Sequence, residues 1–311
     1  MNARPDDDAR GDDRATVFLH ALLALRGQVG RMRTPREVSL AVGSGQQSSR
    51  LYGRGMDYAE SRAYQAGDDV RRMDWRLTAR SGKLHTKLFQ EDREGSALIL
   101  LDTHASMRFG TRGRFKSVQA ARAAAAIAWR SVAAGERVGL VAFGAVDHVL
   151  SPRPGTRAAL AVCGALAQWD DVPPSPHSEP LSVALGRIRH LLRRASRVVL
   201  VSDGFSCDAA ANTTLRGVAA RASVCALLVA DALELELPPA GSYPLEQGGQ
   251  RTLAVLHSER QRRDFQHALG TGAERLRTLA TASACRLLQL DTSGDAVAVS
   301  ARVFDPRKVR T

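Results

Sequence analysis

Apolar runs that end in a carboxylate dominate the pattern of hydrophobic and polar positions along the chain. Residues 98–101 are apolar and precede Asp102, and residues 198–201 precede Ser202 and Asp203. A short apolar run bounded by turn residues is typical of a strand that is buried on both faces. Ligand sites in open parallel sheets lie outside the carboxyl ends of strands. The two aspartates are therefore predicted to share one site.

Helical and strand patterns alternate after the first of these runs. An Ala-rich helix is predicted at 115–134, with further helices at 157–169, 181–194 and 209–222. Strands are predicted at 137–143, 224–229 and 286–290, with an edge strand at 146–150, and residues 233–237 also alternate like a strand. This order predicts an α/β domain over residues 95–305, with a doubly wound, mostly parallel sheet and flanking helices.

The first third of the chain has a different pattern. Residues 1–14 are polar and are predicted to be a disordered tail. Residues 15–34 fit a short amphipathic helix whose face of Val17, Leu22 and Leu25 would pack on the rest of the protein. Residues 35–94 are rich in glycine and polar turn residues, with apolar patches at 38–42 and 84–89, and are predicted to form a small β-rich module.

Composition narrows the class of protein. The 311 residues are 44% hydrophobic and 24% charged, which is typical of a soluble globular protein. The net charge of +12 would indicate nucleic acid or an acidic partner only if the charges clustered, and most do not. Four cysteines without a close Cys-x-x-Cys pair argue against a zinc or redox motif and favour buried thiols in a reducing compartment. An acidic N-terminus and a short apolar segment at 17–25 favour a cytoplasmic protein without a membrane span.

The densest motif of the chain lies in the module before the first strand. It combines arginines, carboxylates and two aromatic residues at Arg62, Tyr64, Gly67, Asp68, Asp69, Arg71, Asp74, Trp75 and Arg80. The alternating signs predict an ion-pair network around Tyr64 and Trp75 rather than a phosphate-binding surface. Such a network could be purely structural. The alternative is a docking surface for another protein, since Tyr, Trp and Arg commonly anchor interfaces.

These motifs resemble a known family. Arg-x-Tyr-x-x-Gly-Asp-Asp, Arg-x-x-Asp-Trp and a strand ending in Asp-x-x-x-Ser-Met resemble the domain of unknown function 58 (DUF58) family, over roughly residues 36–300. The resemblance implies a von Willebrand factor type A (vWA) fold for the C-terminal part, with a β insertion near 231–255. It also implies MoxR-type AAA+ ATPases and other vWA proteins as partners. The family has no established biochemical activity.

The resemblance also implies a metal-ion-dependent adhesion site. In vWA domains this site uses Asp-x-Ser-x-Ser, a Thr and a later Asp, which suit a hard divalent cation such as Mg²⁺. Asp102, Ser106 and Asp203 match this pattern. His104 replaces a serine, and Glu179, or alternatively Ser178, stands at the Thr position. An imidazole beside carboxylates suits Mn²⁺ or Zn²⁺ better than Mg²⁺, so one possibility is a remodelled site for a divalent cation. The other is a degenerate site without metal, in which Asp102 caps the next turn.

We expect a non-enzymatic interaction protein that acts with a MoxR-type AAA+ ATPase in protein assembly or activation. The first alternative is a metal-dependent hydrolase at Asp102 and Asp203, with His104 as general base. No nucleophile elbow, zinc-protease motif or Walker loop supports an enzyme. Nucleic-acid binding is the third possibility, through a basic cluster at 187–197 that is otherwise a solvated helix face. The cluster comprises Arg187, Arg189, His190, Arg193, Arg194 and Arg197.

Overall fold

A computed structural model describes residues 13–31, 56–65, 68–91, 95–170, 172, 179–192, 196–247 and 250–305 of the chain. The chain divides into two compact units. The smaller unit comprises residues 41–94, and the larger unit comprises residues 1–40 and 95–311.

Helices and strands are each numbered in chain order. The helices are α1 (Leu19–Arg31), α2 (Trp75–Ser81), α3 (Lys116–Ala133), α4 (Thr156–Asp170), α5 (Leu181–Ile188), α6 (Ala211–Ala219), α7 (Ala232–Leu235), α8 (Glu259–Ala282) and α9 (Ala296–Val303). The strands are β1 (Met56–Ala63), β2 (His85–Glu91), β3 (Ser96–Asp102), β4 (Arg137–Phe143), β5 (His148–Arg153), β6 (Ser196–Ser202), β7 (Ala222–Ala230), β8 (Gly241–Gln247), β9 (Gln250–Leu256) and β10 (Arg286–Asp291).

A six-stranded sheet organises the larger unit. Its strand order is β10-β7-β6-β3-β4-β5, and every neighbouring pair is parallel except β4 and β5. All seven residues of β3 are buried, because helices cover both faces of the sheet. Side chains alternate across a strand, so Ile99 and Leu101 join one core cluster while Leu98 and Leu100 join the other. The predicted α/β class with a doubly wound, mostly parallel sheet is confirmed.

The N-terminal helix packs on the larger unit through the predicted face. Leu22 and Leu25 are buried in the same core cluster as α3, and the indole nitrogen of Trp129 donates a hydrogen bond to the carbonyl oxygen of Leu22 at 3.1 Å. The helix begins at Leu19 rather than at residue 15. The preceding backbone is already engaged, since the Val17 amide donates to Asp170 Oδ2 at 2.8 Å. Of the predicted disordered tail, residues 1–12 lie outside the described residues.

The smaller unit contains an antiparallel hairpin of β1 and β2 and also the helix α2, which the prediction of a β-rich module missed. The helix has clear end signals. The Asp74 carboxylate accepts a hydrogen bond from the Leu77 amide at its start, and Gly82 ends it with a left-handed backbone at φ 68°. The predicted apolar patch at 38–42 lies outside the described residues.

Several predicted boundaries in the larger unit were wrong. The edge strand is β5, which begins at His148 rather than at residue 146. The helix predicted at 181–194 ends at Ile188 and continues as a 3-10 turn over Arg189–Leu191. Residues 193–195 lie outside the described part. The long helix α8 and the last helix α9 were not predicted at all.

The segment predicted to alternate like a strand at 233–237 begins instead as the short helix α7. Asp231 and Glu234 form a capping box, in which each side chain accepts a hydrogen bond from the backbone of the other end of the turn. This local hydrogen bonding outweighs the alternating pattern of leucines. The strands of the insertion come later, as the antiparallel hairpin of β8 and β9.

No helix in the described part of the chain is long and apolar enough to cross a membrane.

The fold predicts a severe effect of adding one methyl group at Gly204. This residue has φ +88°, and a Cβ atom there would lie 2.1 Å from the carbonyl oxygen of Gly272 in α8. We expect Gly204→Ala to lower the free energy of unfolding by at least about 2 kcal/mol, from backbone strain and overpacking together. Urea unfolding of the purified protein would measure this loss.

Gly217→Ala is the matched control for this substitution. Gly217 lies within α6 and a Cβ atom there would contact nothing within 4 Å, so alanine should be neutral or stabilising by up to about 1 kcal/mol. Equal stability of the two variants would contradict the close approach of Gly204 and α8.

Candidate functional site

Asp102 and Asp203 lie at the same edge of the sheet, as predicted, because β3 and β6 are adjacent parallel strands. Asp102 is 2% exposed. Its Oδ1 atom accepts hydrogen bonds from the backbone amide of His104 at 3.0 Å and from His104 Nδ1 at 2.6 Å. Its Oδ2 atom accepts from the hydroxyls of Ser202 at 2.6 Å and Ser206 at 2.7 Å. An ionised carboxylate offers about four lone-pair positions, and in Asp102 all of them are used.

His104 is the basic side chain that faces Asp102. Burial lowers its pKa, but the hydrogen bond and charge of Asp102, with the charges of Asp203 and Glu179, outweigh burial and raise the pKa above the usual value. For Asp102, burial raises the pKa, and the contacts with His104 and Ser202 outweigh it, so the net pKa is lowered. Each residue therefore favours the charged form of the other.

The position of the His104 ring depends on a glycine. Gly144 has φ +106°, and a Cβ atom there would lie 2.7 Å from His104 Nδ1. The ring also packs edge-on against Phe143, with 5.6 Å between the ring centroids. Its Nε2 atom is buried and has no hydrogen-bond partner among the described residues. The imidazole is thus fixed towards Asp102 by close packing rather than by a second hydrogen bond.

Asp203 has a different cationic partner, which the sequence did not reveal. The Lys116 ammonium donates to Asp203 Oδ2 at 2.8 Å and to Glu234 Oε1 at 2.5 Å. The Lys116 side chain is 1% exposed. Burial lowers the pKa of Lys116, but the two carboxylates outweigh burial and raise it above the usual value. A lysine in the first turn of α3 therefore balances two buried acids.

Glu179, the predicted replacement for the metal-binding threonine, is bound to an arginine. Its Oε2 atom lies 2.9 Å from an Arg187 nitrogen, and Arg187 also pairs with Asp147 and donates to the Ala142 carbonyl oxygen. Burial raises the pKa of Glu179, and the charge of His104 opposes this. Glu179 is thus held by the first residue of the predicted basic cluster.

A second arginine of the basic cluster has a structural partner as well. Arg197 pairs with Glu136 at 3.3 Å, and its guanidinium lies 4.4 Å from the centre of the Phe304 ring. The α-helix ends before Arg189, so Arg189 lies in the 3-10 turn that follows it. Arg193 and Arg194 lie outside the described residues.

The predicted metal ligands do not fit a divalent cation in this arrangement. Asp102 has no unused lone pair, and Asp203 and Glu179 are each bound to a cation of the chain itself. The fifth predicted ligand, Ser106, has a buried hydroxyl without a hydrogen-bond partner in the described part of the chain. Among those residues, no three His, Cys, Asp or Glu side chains converge in a way that could hold a metal ion. The geometry favours the alternative in which Asp102 organises the following turn.

In the smaller unit, the carboxylates of the predicted motif point into local structure. Asp68 binds Arg62 at 2.6 Å and accepts from the Gln65 amide at 2.9 Å. Asp74 accepts from the Leu77 amide at 3.0 Å and from the Ser61 hydroxyl at 2.7 Å. These contacts, led in each case by the backbone amide, lower the pKa of both aspartates.

Asp69 is used in the same way, because it accepts from the Arg71 amide and caps the 3-10 turn at Val70–Arg72. The carboxylates of the motif are therefore acceptors within the unit. Gly67 of the motif lies outside the described residues.

Trp75 does not lie inside the predicted network. It is the first residue of α2 and is 63% exposed, while Val70 in the preceding turn is 58% exposed. Helical geometry of about 100° per residue puts Trp75, Arg76, Ala79 and Arg80 on one arc, and all four are exposed. We call Trp75, Arg76, Ala79 and Arg80, together with Val70 and Arg71, the Trp75 surface. Tyr64 is only partly buried, and its backbone amide donates to the Leu84 carbonyl oxygen.

We call Asp102, Asp203, the side chains bound to them and Glu234, which shares Lys116 with Asp203, the strand-end site. The sequence did not predict four of its members: Lys116, Glu234, Ser202 and Ser206. A lysine in the first turn of a helix is ordinarily exposed to solvent. The serines flank Asp203 within five residues, and this cluster of hydroxyls beside a strand-end carboxylate was the one available signal.

Comparisons with known proteins identify relatives. Residues 60–275 match the family described as protein of unknown function DUF58. An uncharacterized protein of Mycobacterium tuberculosis, Rv1480, is 33% identical over 259 residues, which cover 82% of this chain and 81% of that protein. The uncharacterized protein Mb1516 of Mycobacterium bovis matches equally well.

Solved structures with similar folds are more distant. The conserved hypothetical protein BatB from Bacteroides thetaiotaomicron has a TM-score of 0.45 at 12% identity, covering 67% of this chain and 96% of that chain. A von Willebrand factor type A structure from Catenulispora acidiphila has a TM-score of 0.42 at 12% identity, covering 70% and 44% respectively.

The Asp102–His104 pair predicts a pH-dependent contribution to stability. The folded-state pKa of His104 is raised above 6.5, so the stabilisation is complete below that pH and is lost as pH rises through the folded pKa. The folded pKa of Asp102 is lowered below 3.8, so its share persists above that pH. We expect the stability difference between wild type and His104→Gln to be largest between about pH 4 and 6.5.

Urea unfolding at a series of pH values would measure this difference. His257→Gln, at an exposed position, is the control variant. A His104→Gln difference that stays constant up to about pH 9 would contradict the proposed charge state of the pair.

The same carboxylates predict that Cys207 reacts slowly with alkylating agents. Burial first, and then the charges of Asp102, Asp203 and Asp208, raise the pKa of Cys207 to about 12. Since the thiolate is the reactive form, alkylation of native Cys207 by iodoacetamide near pH 8 should be about 10³-fold slower than in the urea-unfolded chain. Peptide mass spectrometry over time would measure both rates, and equal rates would refute the expected environment of this thiol.

Proposed function

Because the chain belongs to the DUF58 family of proteins of unknown function, we propose a role that such proteins could share. The protein is a non-enzymatic adaptor that binds a MoxR-type AAA+ ATPase through the Trp75 surface and acts with it in protein assembly or activation. The carrying observation is the exposure of Trp75, 63% of whose surface is accessible. The ATPase as partner rests on the motif resemblance.

The chemistry of the Trp75 surface supports a protein partner. Tryptophan and arginine contribute most of the binding energy in many interfaces. Arg71, Arg76 and Arg80 form no side-chain ion pair with any described residue, while the nearby Asp68 and Asp74 are occupied within the unit. The surface therefore offers positive charge around an apolar centre, which suits an acidic face of the partner that contains an apolar pocket.

The strand-end site supports a non-enzymatic role. A general base needs a free lone pair within reach of a substrate, and the four positions of Asp102 are filled by groups of the chain. His104 directs Nδ1 to Asp102, and its other ring nitrogen is buried. We place the proposed complex in the cytoplasm, a location that agrees with four free cysteines.

The test is an affinity purification of the tagged protein from lysate of its native host, with identification by mass spectrometry. We expect recovery of a MoxR-type AAA+ ATPase by wild type and a loss of at least about 30-fold in affinity for the purified ATPase with Trp75→Ala. The thermal midpoint of Trp75→Ala should stay near that of wild type because the side chain is exposed.

Leu253→Ala is the matched control, since Leu253 is a large apolar residue of β9 that is 57% exposed. It should bind like wild type. Arg76→Glu and Arg80→Glu, which reverse two charges, should weaken binding. They should also make the affinity less sensitive to salt. Failure to recover any AAA+ ATPase, or equal binding by Trp75→Ala and Leu253→Ala, would refute the adaptor proposal.

A further inference from the structure

The side chains around Lys116 resemble those of a small cation-binding site, and the Lys116 ammonium takes the place of the cation. Its ammonium contacts one oxygen of Asp203 and one of Glu234. The rings of Phe109 and Phe205 flank the ammonium at 5.6 and 5.7 Å from their centres. Two carboxylate oxygens and two aromatic rings therefore surround the buried ammonium.

Backbone amides hold both carboxylates in place. Asp203 Oδ1 accepts from the Phe205 amide at 3.1 Å, and Glu234 Oε2 accepts from the Asp231 amide at 2.8 Å. Each acid thus gives one oxygen to the backbone and the other to Lys116. Because a backbone amide orients each acid, both carboxylates direct their remaining oxygen to one point, and the cluster is a cradle for positive charge.

The neighbouring acids of the strand-end site are neutralised in the same manner. Asp102 is bound to His104, and Glu179 is bound to Arg187. A Mg²⁺ ion would need about six oxygen ligands in octahedral geometry. To reach the carboxylates of this edge it would have to displace a histidine, a lysine and an arginine in turn. The donor set and its occupied state therefore disagree with a resident divalent ion.

We propose that Lys116 is the resident cation of the strand-end site and replaces the divalent ion that a vWA fold implies. The charge of this cation is covalently attached, so it cannot be removed by chelators or supplied by added metal. The same cation joins the loop after β6 to α7. This inference concerns the larger unit and does not depend on the proposed adaptor role.

Direct binding of Mn²⁺ to the purified full-length protein tests the proposal without any variant. The electron paramagnetic resonance signal of free Mn²⁺ should stay unchanged when wild-type protein is added, and the thermal midpoint should be the same in EDTA, Mg²⁺ and Mn²⁺ at equal ionic strength. Loss of one equivalent of free Mn²⁺, abolished by Asp102→Asn, would overturn the proposal.

Replacement of the lysine provides the complementary test. Lys116→Ser leaves two buried carboxylates without a cation, so its thermal midpoint in EDTA should fall by about 10 °C. Saturating Mn²⁺ should restore part of that loss, because the cradle then offers two carboxylate oxygens and space for an ion. Lys83→Ser, at an exposed lysine, should neither lose stability nor respond to Mn²⁺.

A triple variant covers the case in which Lys116→Ser does not fold. Lys116→Met combined with Asp203→Asn and Glu234→Gln removes the cation and both charges together, so it should fold and be more stable than Lys116→Met alone. Equal instability of the single and triple variants would show that Lys116 acts through packing instead of charge, and would refute the proposal.

Discussion

The larger unit depends on charge compensation for carboxylates that the sheet buries. Asp102 and Asp203 are each 2% exposed, and Glu234 is 4% exposed. An unpaired buried charge costs several kcal/mol, so each acid must gain a cation or several hydrogen bonds on folding. The compensating groups come from the turn after β3, from α3 and from the segment after β6. Folding of the edge therefore requires these elements to assemble together, since each carboxylate accepts from a nearby backbone amide and also from a side chain that is distant in the sequence or beyond its own strand.

Acidic residues in the smaller unit depend more on local contacts. Asp68, Asp69 and Asp74 accept hydrogen bonds from amides two or three residues away. Such short-range contacts form turns and helix starts without any distant partner. The acids are consumed locally, and the arginines of α2 keep their charge on the surface. In both units the position of a positive charge is thus decided by what the nearest carboxylates already bind.

The strands could be predicted from sequence because burial on both faces leaves an apolar run that few other structures require. The role of Lys116 could not be predicted, since its partners lie 87 and 118 residues away in the chain. The helix α8 was missed for a different reason. Its buried residues begin only at Gly272, so the first half has no apolar period to detect. The leucines of α7 alternate as in a strand and led to a wrong prediction. The capping box that forms the helix depends on local hydrogen bonds, which the hydrophobic pattern does not reveal.

The carboxylates of the strand-end site are neutralised by basic side chains of the same chain, and this limits how the site can bind a partner. A metal-bridged contact works because the ion retains an open position for a carboxylate of the partner. Lys116 and His104 offer no such position, since the buried Lys116 ammonium is bound to Asp203 and Glu234. His104 Nδ1 is bound to Asp102, and its Nε2 atom is buried. For the proposed adaptor role, binding energy then has to come from groups that folding leaves unused. On the described surface the exposed indole of Trp75 and its neighbouring arginines meet this condition, because folding has already satisfied the acids beside them.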